Sequence, residues 1–403
     1  SMGIFNAAFD HIYLPRLHRK GYVSSSATGS GGMKQEIENA IEKPTGIFNN
    51  VICINAEGLL NTLFATFHID PLARIKSDKN GHAVPGGLSY SSTEHILPSY
   101  FSEGSRKIKE ARAKGVDFYA KAVDIVLKQL YQAMCSDGCR LFHNDLQYTL
   151  NHALHWFINS CRQVVDSKGD QFLYGDSQSL YVIVREDHLH DVATYGASLA
   201  NELVGRLNEL LQSEFELSSE FDLQYQSYYS RFIVPAAKKS ADEAIKFAAL
   251  EMKSTGETNE VISGISLTGT DWCDLAEKFL SELFRAVFNN QDLEPWLKGY
   301  VERLKSGEFN ELLTFSKRLS KSAEEYSGTV PLHARAATLL DNPGKTIDYV
   351  ICKRGPIPIE LDHRDFDYTY YIERQLGPIA DSVLKAEGKS LKEVLNPKQL
   401  SLF

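Results

Sequence analysis

A short polar turn between two apolar runs constrains the fold of this chain more than any other stretch. Phe172–Tyr174 and Leu180–Val184 are the apolar runs, and Gly175–Ser179 separates them. Apolar runs joined by so short a polar segment predict a β-hairpin. The turn holds a single carboxylate, Asp176, so the predicted hairpin presents one acid at its tip.

The turn reads Tyr-Gly-Asp-Ser-Gln-Ser over residues 174–179. This stretch resembles the Tyr-Gly-Asp-Thr-Asp-Ser turn of family B DNA polymerases, which carries two carboxylates at a hairpin of the palm. In that family the second Asp is the indispensable metal ligand, and Gln178 takes its place here. An amide gives Mg²⁺ one neutral oxygen and no charge. The resemblance therefore implies a hairpin that is kept and a metal site that is lost.

A second stretch, residues 49–71, is similar to the palm of the same family. Asn49–Ile54 predicts a strand, and its end resembles the place where the family has an Asp that binds both metal ions. Asn55 takes the place of that Asp. The following Phe67-His-Ile-Asp-Pro71 is similar to the same region of the bacterial polymerase II branch of the family.

Two acids near these positions leave a metal site open as an alternative. Asp176 lies in the turn. Glu57 follows Asn55 by two residues, so the side chains of Asn55 and Glu57 would point the same way if the strand continued. A compensating metal site would use both acids, whereas the other interpretation is that they are solvated or ion-paired.

His152 and His155 have a spacing that zinc tolerates, but no Cys or acid completes a known zinc pattern.

Two amphipathic helical stretches lie between these palm segments. They are Ser105–Arg112 and Phe118–Met134, with a break at Lys114-Gly115. Their layout resembles the two antiparallel fingers helices of the family. In the family those helices present an Arg and a Lys to the triphosphate of the incoming nucleotide.

The fingers positions that contact the triphosphate in the family are altered here. Asp124 takes the place of the central Lys, and Ile108 takes that of the Arg, although Arg112 remains one turn further on. The second fingers helix of the family carries the pattern Lys-(x)3-Asn-(x)2-Tyr. The matching residues here are Asp124, Lys128 and Tyr131, and Tyr131 alone agrees with the pattern. At an effective dielectric near 20, a like charge at about 4 Å costs roughly 4 kcal/mol. The resemblance therefore implies weak nucleotide binding.

The C-terminal third carries basic residues that resemble the thumb segment by which the family holds the duplex backbone. That segment comprises Phe315–Lys321, Tyr326 and Val330–Ala337. Earlier in the chain, Lys246 is the one cation that remains of a basic stretch that the family has near the primer end. The resemblance implies phosphate contacts, and the alternative is a solvated basic face. The DNA-binding candidates are Lys246, Lys317, Arg318, Lys321, Tyr326 and Arg335.

The tail resembles the pentapeptide by which bacterial polymerases dock on the sliding clamp. Pro397 is expected to end the preceding helix and to leave the tail free. Its apolar side chains would fill a pocket on the clamp while the glutamine amide fixes the register. The alternative is a tail folded back on the thumb. The clamp-binding candidates are Gln399, Leu400, Leu402 and Phe403.

Composition limits the remaining choices. A net charge of −9 argues against general polyanion binding but is compatible with a local basic groove. The six cysteines form no CxxC pair, which favours free thiols in a reducing compartment. No apolar run approaches the roughly 18–20 residues of a membrane span. We expect a cytoplasmic, nucleoid-associated bacterial protein, and we interpret Ser1-Met2-Gly3 as a cloning remnant that stands in place of the natural N-terminus.

The predicted fold is α+β: a palm with a mostly antiparallel sheet, a helical-hairpin fingers insertion and a helical thumb, without an exonuclease domain. We expect palm segments at 46–96 and 136–262, fingers at 97–135, and the thumb with its tail at 263–403. Residues 1–45 would form an N-terminal segment with a flexible Ser/Gly connector, which is either a natural loop or an engineered joint.

The resemblance implies a polymerase-like protein that has lost nucleotidyl transfer but still holds primer-template DNA and docks on the sliding clamp. No cofactor is expected, whereas active relatives use Mg²⁺. Another polymerase or a repair factor is a further possible partner, and no membrane is expected. Two alternatives stay open: an active polymerase with an atypical metal site, and a protein-interaction scaffold that does not bind DNA.

Overall fold

The computed structural model describes residues 2–24, 43–134, 139–236, 245–267, 271–320, 325 and 329–396. The chain divides into two compact units. Unit 1 comprises Ser1–Glu42 and Asn50–Tyr228, and unit 2 comprises Lys43–Asn49 and Tyr229–Phe403. The palm, fingers and thumb boundaries predicted from the sequence are finer than this division and stay a prediction.

Helices and short strands follow one another along the whole chain. Through residue 234 they are α1 Met2–Arg19, β1 Gly46–Asn55, α2 Leu59–Thr66, α3 Pro71–Ile75, β2 Gly81–Ala83, β3 Ser89–Ser91, α4 Leu97–Ala113, α5 Asp117–Met134, α6 Asn144–Ser167, β4 Gln171–Gly175, β5 Ser179–Ile183, α7 Val192–Phe215 and β6 Gln224–Val234. From residue 247 they are β7 Phe247–Met252, β8 Thr258–Ser263, α8 Asp274–Phe288, α9 Leu293–Lys305, β9 Phe315–Arg318, α10 Leu332–Ala337, β10 Thr346–Cys352, β11 Gly355–Pro358, α11 Tyr368–Tyr371, α12 Gly377–Leu384 and α13 Leu391–Leu395.

The main sheet has the strand order β4-β5-β1-β6-β7-β8. β1 pairs with β5, β5 with β4, and β7 with β8, all antiparallel. β1 lies inside the sheet and buries Val51–Ile54, which accounts for the continuous apolar run in the sequence. The predicted α+β class with an antiparallel sheet is therefore confirmed.

The helix pair α4 and α5 occupies the stretch predicted to form the fingers. Gly115 connects the two helices with φ +70°, a left-handed conformation that favours glycine. Gly104 of α4 lets α5 approach closely, because a Cβ at that position would lie 2.6 Å from a methyl carbon of Leu127. Phe101 of α4 stacks on Phe64 of α2 with ring centroids 4.5 Å apart. Apolar packing thus holds the helix pair on α2 within unit 1.

Asp70 joins three helices of unit 1 through one fully buried carboxylate. Its Oδ1 accepts hydrogen bonds from the Tyr13 hydroxyl of α1 at 2.8 Å and from the first turn of α3. Its Oδ2 accepts from the backbone N–H groups of Ile96 and Leu97, where α4 begins. Burial raises the pKa of Asp70, whereas the Leu97 N–H and the Tyr13 hydroxyl lower it. This network explains the acid in the Phe67–Pro71 stretch.

We expect Asp70→Ala to destabilise the protein more than any exposed substitution. The change removes the acceptor of five buried hydrogen-bond donors, of which the Leu72 N–H keeps the Tyr13 hydroxyl as a second acceptor, and breaking a buried charge network of this kind costs about 3–5 kcal/mol. Chemical denaturation measures the free energy of unfolding, and Asp78→Ala on the surface serves as the control. A loss below about 1 kcal/mol would contradict the network's importance.

Unit 2 differs from the predicted helical thumb because it also contains a sheet with the strand order β11-β10-β9. The β10 segment reads Thr-Ile-Asp-Tyr-Val-Ile-Cys, which is rich in residues that favour strands. β10 pairs antiparallel with both neighbours. The helical expectation for this region was therefore incomplete, since short strands of four to seven residues resemble loop sequence when read alone.

The helical segment of residues 368–384 is interrupted. A π-turn at Ile372–Leu376 separates α11 from α12, and the Gly377 N–H donates to the carbonyl five residues earlier. Pro378 has no N–H and would crowd a regular α-turn, so the wider turn accommodates it. Within this turn the buried Gln375 amide accepts from the Cys273 N–H at 3.0 Å and donates to the Asp271 carbonyl at 2.9 Å.

No helix in the described ranges is long and apolar enough to cross a membrane.

Candidate functional site

The hairpin predicted at residues 172–184 is present as β4 and β5. Gly175 ends β4, and a Cβ there would lie 2.8 Å from Leu180 and 2.9 Å from Phe172. A larger residue would therefore push the two strands apart. The close packing fixes the turn that carries Asp176.

The Asp176 carboxylate closes its own turn. Its Oδ1 accepts hydrogen bonds from the backbone N–H groups of Gln178 at 2.8 Å and Ser179 at 3.0 Å. The Asp176 N–H in turn donates to the Ser179 carbonyl at 3.0 Å. Burial, together with the charge of Asp176, raises the pKa of the Tyr174 phenol to about 12. One oxygen of the only acid in the turn is thus committed to backbone structure.

The end of β1 lies beside this turn. Asn55 pairs with Ser179 across the β1–β5 ladder, and the Ala56 N–H donates to the Gln178 carbonyl at 2.7 Å. The Asn55 Oδ1 accepts from the Glu57 N–H at 2.7 Å. The structure therefore brings Asn55, Asp176 and Gln178 together at one end of the sheet.

Glu57 does not follow the strand geometry on which a compensating metal site depended. β1 ends at Asn55, so the alternation of side chains does not extend to Glu57, and that premise was wrong. Instead the Glu57 carboxylate binds the Arg112 guanidinium of α4 through two hydrogen bonds of 2.7 and 3.0 Å. These bonds raise the pKa of Arg112. The ion-paired alternative is the one found for this acid.

The residues at this end of the sheet do not fit a pair of magnesium ions. Mg²⁺ requires near-octahedral oxygen ligands and usually binds through carboxylates. Here Asn55 and Gln178 provide amides, and each of the acids Asp176 and Glu57 already accepts hydrogen bonds from protein donors. Across the described ranges, no three His, Cys, Asp or Glu side chains form a group that could hold a metal ion.

A cleft of about 820 Å³ lies in unit 1 between α2, α4, α5 and residues 218–222. Among its described lining residues, the cations are Arg106, Lys109 and Arg112, and each is ion-paired with a carboxylate. Lys109 reaches Asp222 at 3.2 Å, and Arg112 reaches Glu57. Because these cations already have partners, an incoming polyanion would have to compete with carboxylates for them.

Asp124 lines the same cleft, on the side of α5. The Lys128 ammonium lies 2.7 Å from its carboxylate, one turn along the helix. Tyr131 does not line the cleft; it packs at 5.4 Å on the Phe64 ring. Ile108 also lines the cleft and is largely buried. Of the predicted fingers positions, Ile108, Arg112 and Asp124 therefore line the cleft, whereas Lys128 and Tyr131 have structural partners.

Sequence reasoning missed Lys109 and its partner Asp222. Lys109 and Arg112 are three residues apart on α4, so both can reach the same side of the cleft. That spacing was visible in the sequence. Their acidic partners are distant in the chain, and no local pattern links such residues.

The candidate thumb cations in β9 do not share one surface. Adjacent side chains of a strand point to opposite faces, and Lys317 and Arg318 are adjacent. Lys317 is 21% exposed and forms an ion pair with Asp271. Burial and the Lys317 charge lower the pKa of His333 nearby. Arg318 is exposed and forms no ion pair with the described residues. A joint phosphate grip by these two residues is therefore not supported.

The other candidates divide into described and undescribed residues. Arg335 is exposed on α10 and lies near Gly355 of the β10–β11 turn. Lys246 precedes β7, and its side chain lies against Gly264. The remaining candidates, Lys321, Tyr326, Gln399, Leu400, Leu402 and Phe403, lie outside the described residues.

The fold and this hairpin can now be compared with known proteins. The family model described as DNA polymerase family B matches residues 120–387, about two thirds of the chain. This chain belongs to the family B DNA polymerases. The membership confirms the resemblance drawn from the Tyr174–Ser179 turn.

Individual relatives within family B agree with this assignment. DNA polymerase II of Escherichia coli is 27% identical over 399 residues, which cover 94% of this chain and 50% of that protein. A DNA polymerase of Archaeoglobus fulgidus is 23% identical, with coverage of 90% and 49%. The solved family B DNA polymerase of Pyrobaculum calidifontis superposes with a TM-score of 0.63 at 17% identity, covering 94% of this chain and 50% of that one. The chain thus spans about half the length of each of these three polymerases.

Proposed function

We propose that this family B chain is a polymerase-like protein that no longer transfers nucleotides and that holds duplex DNA. The observation that carries the proposal is the side-by-side placement of Asn55 and Gln178, two amides, at the end of the sheet. These two positions resemble those at which the family has its metal-binding aspartates. Two-metal catalysis needs anionic ligands that hold both ions, and amides supply no charge.

The cleft of unit 1 supports the same proposal. Asp124, paired with Lys128, stands at the position where the resemblance implies a Lys that contacts the triphosphate. The three cleft cations already bind carboxylates, so little positive charge is left for a triphosphate. Changes at the metal site and in the cleft act on separate steps, since one affects catalysis and the other nucleotide binding.

Duplex binding would rest on unit 2. Arg318 and Arg335 are exposed and have no ion pair with the described residues, so their charges can neutralise phosphates without first breaking a contact. Phosphate contacts carry no base information, and binding should be independent of sequence. We propose a primer-template duplex as the partner, and the thumb segment as the part that contacts it.

Single charge reversals test the duplex-binding proposal. We expect Arg318→Glu and Arg335→Glu each to weaken duplex binding about tenfold and to lower the slope of log affinity against log salt by about one. Lys317→Glu should change DNA affinity less, because Lys317 lies on the other face of β9 and is bound to Asp271. Fluorescence anisotropy at several salt concentrations measures affinity and slope.

Arg206→Glu on α7 is the matched control, since Arg206 is equally charged, half-exposed and lies in unit 1. Equal affinities and slopes for the unmodified protein, the two thumb variants and this control would remove the thumb from the proposal. Absence of any duplex binding at low salt would favour the scaffold alternative instead.

A further inference from the structure

Three histidine rings meet in unit 1. His68 lies in the connection from α2 to α3, His82 lies in β2, and His95 lies just before α4. The ring of His68 contacts both of the others, with its centroid 4.9 Å from that of His82 and 4.6 Å from that of His95. We call these three residues the His cluster. It brings together three segments that are separate in the chain.

Backbone carbonyls fix the protonation of two of the rings. The Nε2 atom of His82 lies 3.3 Å from the Phe67 carbonyl, and that of His95 lies 3.2 Å from the Ser92 carbonyl. A carbonyl oxygen only accepts hydrogen bonds, so each Nε2 carries the proton and each Nδ1 keeps a lone pair. The Nδ1 atoms of all three rings are buried and have no hydrogen-bond partner among the described residues. Two buried lone pairs, those of His82 and His95, are therefore unused.

The rings of the His cluster are not arranged to share a metal ion. The planes of His68 and His95 stack at an angle of 15°, and the lone pair of an imidazole lies in the plane of its ring. Lone pairs in two stacked, nearly parallel planes do not point at one ion. This agrees with the lack of a metal-binding group in the part of the chain that the structure describes. A proton binds to a single nitrogen, so it is the ligand that the cluster can take up.

A proton taken up by the His cluster is unfavourable for the folded arrangement. A protonated Nδ1 becomes a buried N–H without an acceptor, and its charge lies beside two further imidazole rings. Burial, followed by the charges of His95 and His82, lowers the pKa of His68 from 6.5 to about 4. Burial is also the main cause that lowers the pKa of His82.

The acids nearest the cluster along the chain are already bound elsewhere. Asp70 accepts hydrogen bonds from the α1 hydroxyl and from the first turns of α3 and α4. Glu94 lies 3.5 Å from the Lys20 ammonium. Helices α6 and α7 contribute uncharged aromatic rings beside Phe67. The titratable groups that face His68 are therefore the other two histidines of the cluster.

We propose that the His cluster is an acid-sensitive switch, which keeps β2 on the α2–α3 connection at neutral pH and releases it when the cluster is protonated. β2 is the segment released, because His82 is half-buried whereas its neighbours in the strand, Gly81 and Ala83, are exposed. The beginning of α4 stays in place, since the Asp70 carboxylate also holds it. This switch depends neither on the metal positions nor on duplex binding.

The direction of the pH effect follows from the pKa of His68. A base whose pKa is lower in the closed state binds a proton more readily when the site opens, so acid favours opening. The closed state is fully favoured above about pH 6.5, and this preference is lost as the pH falls through about 4. With a pKa of about 6.5 when open and about 4 when closed, the equilibrium constant for opening rises about 30-fold between about pH 8 and pH 5.

Amide hydrogen exchange tests the switch, with each rate expressed as protection relative to an unstructured chain at the same pH. In the unmodified chain, the protection of residues 81–84 should fall about 30-fold from about pH 8 to pH 5, whereas that of β5 should change less than about threefold. Burial raises the pKa of Asp70, which acts in the opposite direction. That contribution is common to all variants, so their comparison isolates the cluster.

His68→Asn removes the titrating ring. Asn tolerates the positive φ of 49° at this position, so the backbone can keep its conformation. The protection of β2 in this variant should fall less than about threefold over the same pH range, even if it is lower at every pH. His11→Asn is the matched control, since His11 is exposed on α1, and it should behave as the unmodified chain does.

Proton–nitrogen correlation spectra of isotope-labelled histidine side chains test the two premises directly. His82 and His95 should appear as Nε2–H tautomers at neutral pH, and His68 should titrate with a midpoint near 4. In His95→Asn the midpoint of His68 should rise, because one of the two neighbouring rings that oppose its charge is gone.

The switch would be refuted by an equal loss of β2 protection in the unmodified chain and in His68→Asn, which would assign the acid effect to another group. An equal loss in β2 and β5 would also refute it, because unit 1 would then unfold as a whole. A His68 midpoint near 6.5 would contradict the closed arrangement of the three rings.

Discussion

No template-directed nucleotide incorporation above background is expected from this protein with either Mg²⁺ or Mn²⁺. The loss of anionic ligands at Asn55 and Gln178 removes several kcal/mol of transition-state stabilisation, which is at least about a 10³-fold loss of rate. Asp176 would supply one carboxylate for two ions, and one of its oxygens already accepts two backbone hydrogen bonds. Single-turnover extension of a labelled primer measures the rate directly. Clear extension by the unmodified protein would refute the proposed loss of activity.

Restoring the two metal positions alone is also expected to leave the protein inactive. In Asn55→Asp, Gln178→Asp, Asp124 in its ion pair with Lys128 still lines the cleft in place of the free cation that the family resemblance implies there, so a triphosphate gains no attraction at this position. Adding Asp124→Lys to this double variant should tighten nucleotide binding by at least about 10²-fold. Ser218→Ala in the same cleft is the control, since it changes no charge. Normal activity of the double variant would show that Asp124 is harmless.

Removal of the five C-terminal residues is expected to abolish binding to a bacterial sliding clamp. The tail resembles a clamp-docking peptide, and a short peptide of this kind binds at about micromolar affinity, near −8 kcal/mol. The last described helix, α13, begins with a capping box between Ser390 and Glu393 and ends at Leu395. The helix thus ends two residues before Pro397, and a tail available for binding stays a prediction. Joined to a weak DNA contact, the tail would raise occupancy on clamp-loaded DNA by about a hundredfold.

Isothermal titration of the clamp with the full chain and with a version ending at Lys398 measures this effect. The double variant Leu402→Ala, Phe403→Ala should behave like the truncated chain, whereas Ser401→Ala should bind as the unmodified chain does. Equal binding by the full and truncated chains, or binding by neither, would remove the clamp from the proposal.

The parts of the molecule that the sequence predicted are those with local patterns. The hairpin follows from two apolar runs around a polar turn, and the fingers helices follow from their amphipathic spacing. The Glu57–Arg112 pair joins residues 55 positions apart, and no periodicity links them. The opposite orientation of Lys317 and Arg318 depends on whether β9 is a strand, which a four-residue segment does not reveal. To predict the π-turn before Pro378, one would have to know that Gln375 is hydrogen-bonded to residues about a hundred positions earlier.

The pairing of Glu57 with Arg112 bears on how easily such a chain could return to catalysis. Selection acts on one substitution at a time, and under the proposed loss of activity a carboxylate regained at Asn55 or Gln178 alone would leave the other position an amide and Arg112 bound to Glu57. Releasing Arg112 alone would leave both amides in place. Because each step depends on the others, their effects do not add, and no single reversal is rewarded. Loss of the reaction in this lineage would therefore behave as a one-way step, whatever role the remaining fold acquires.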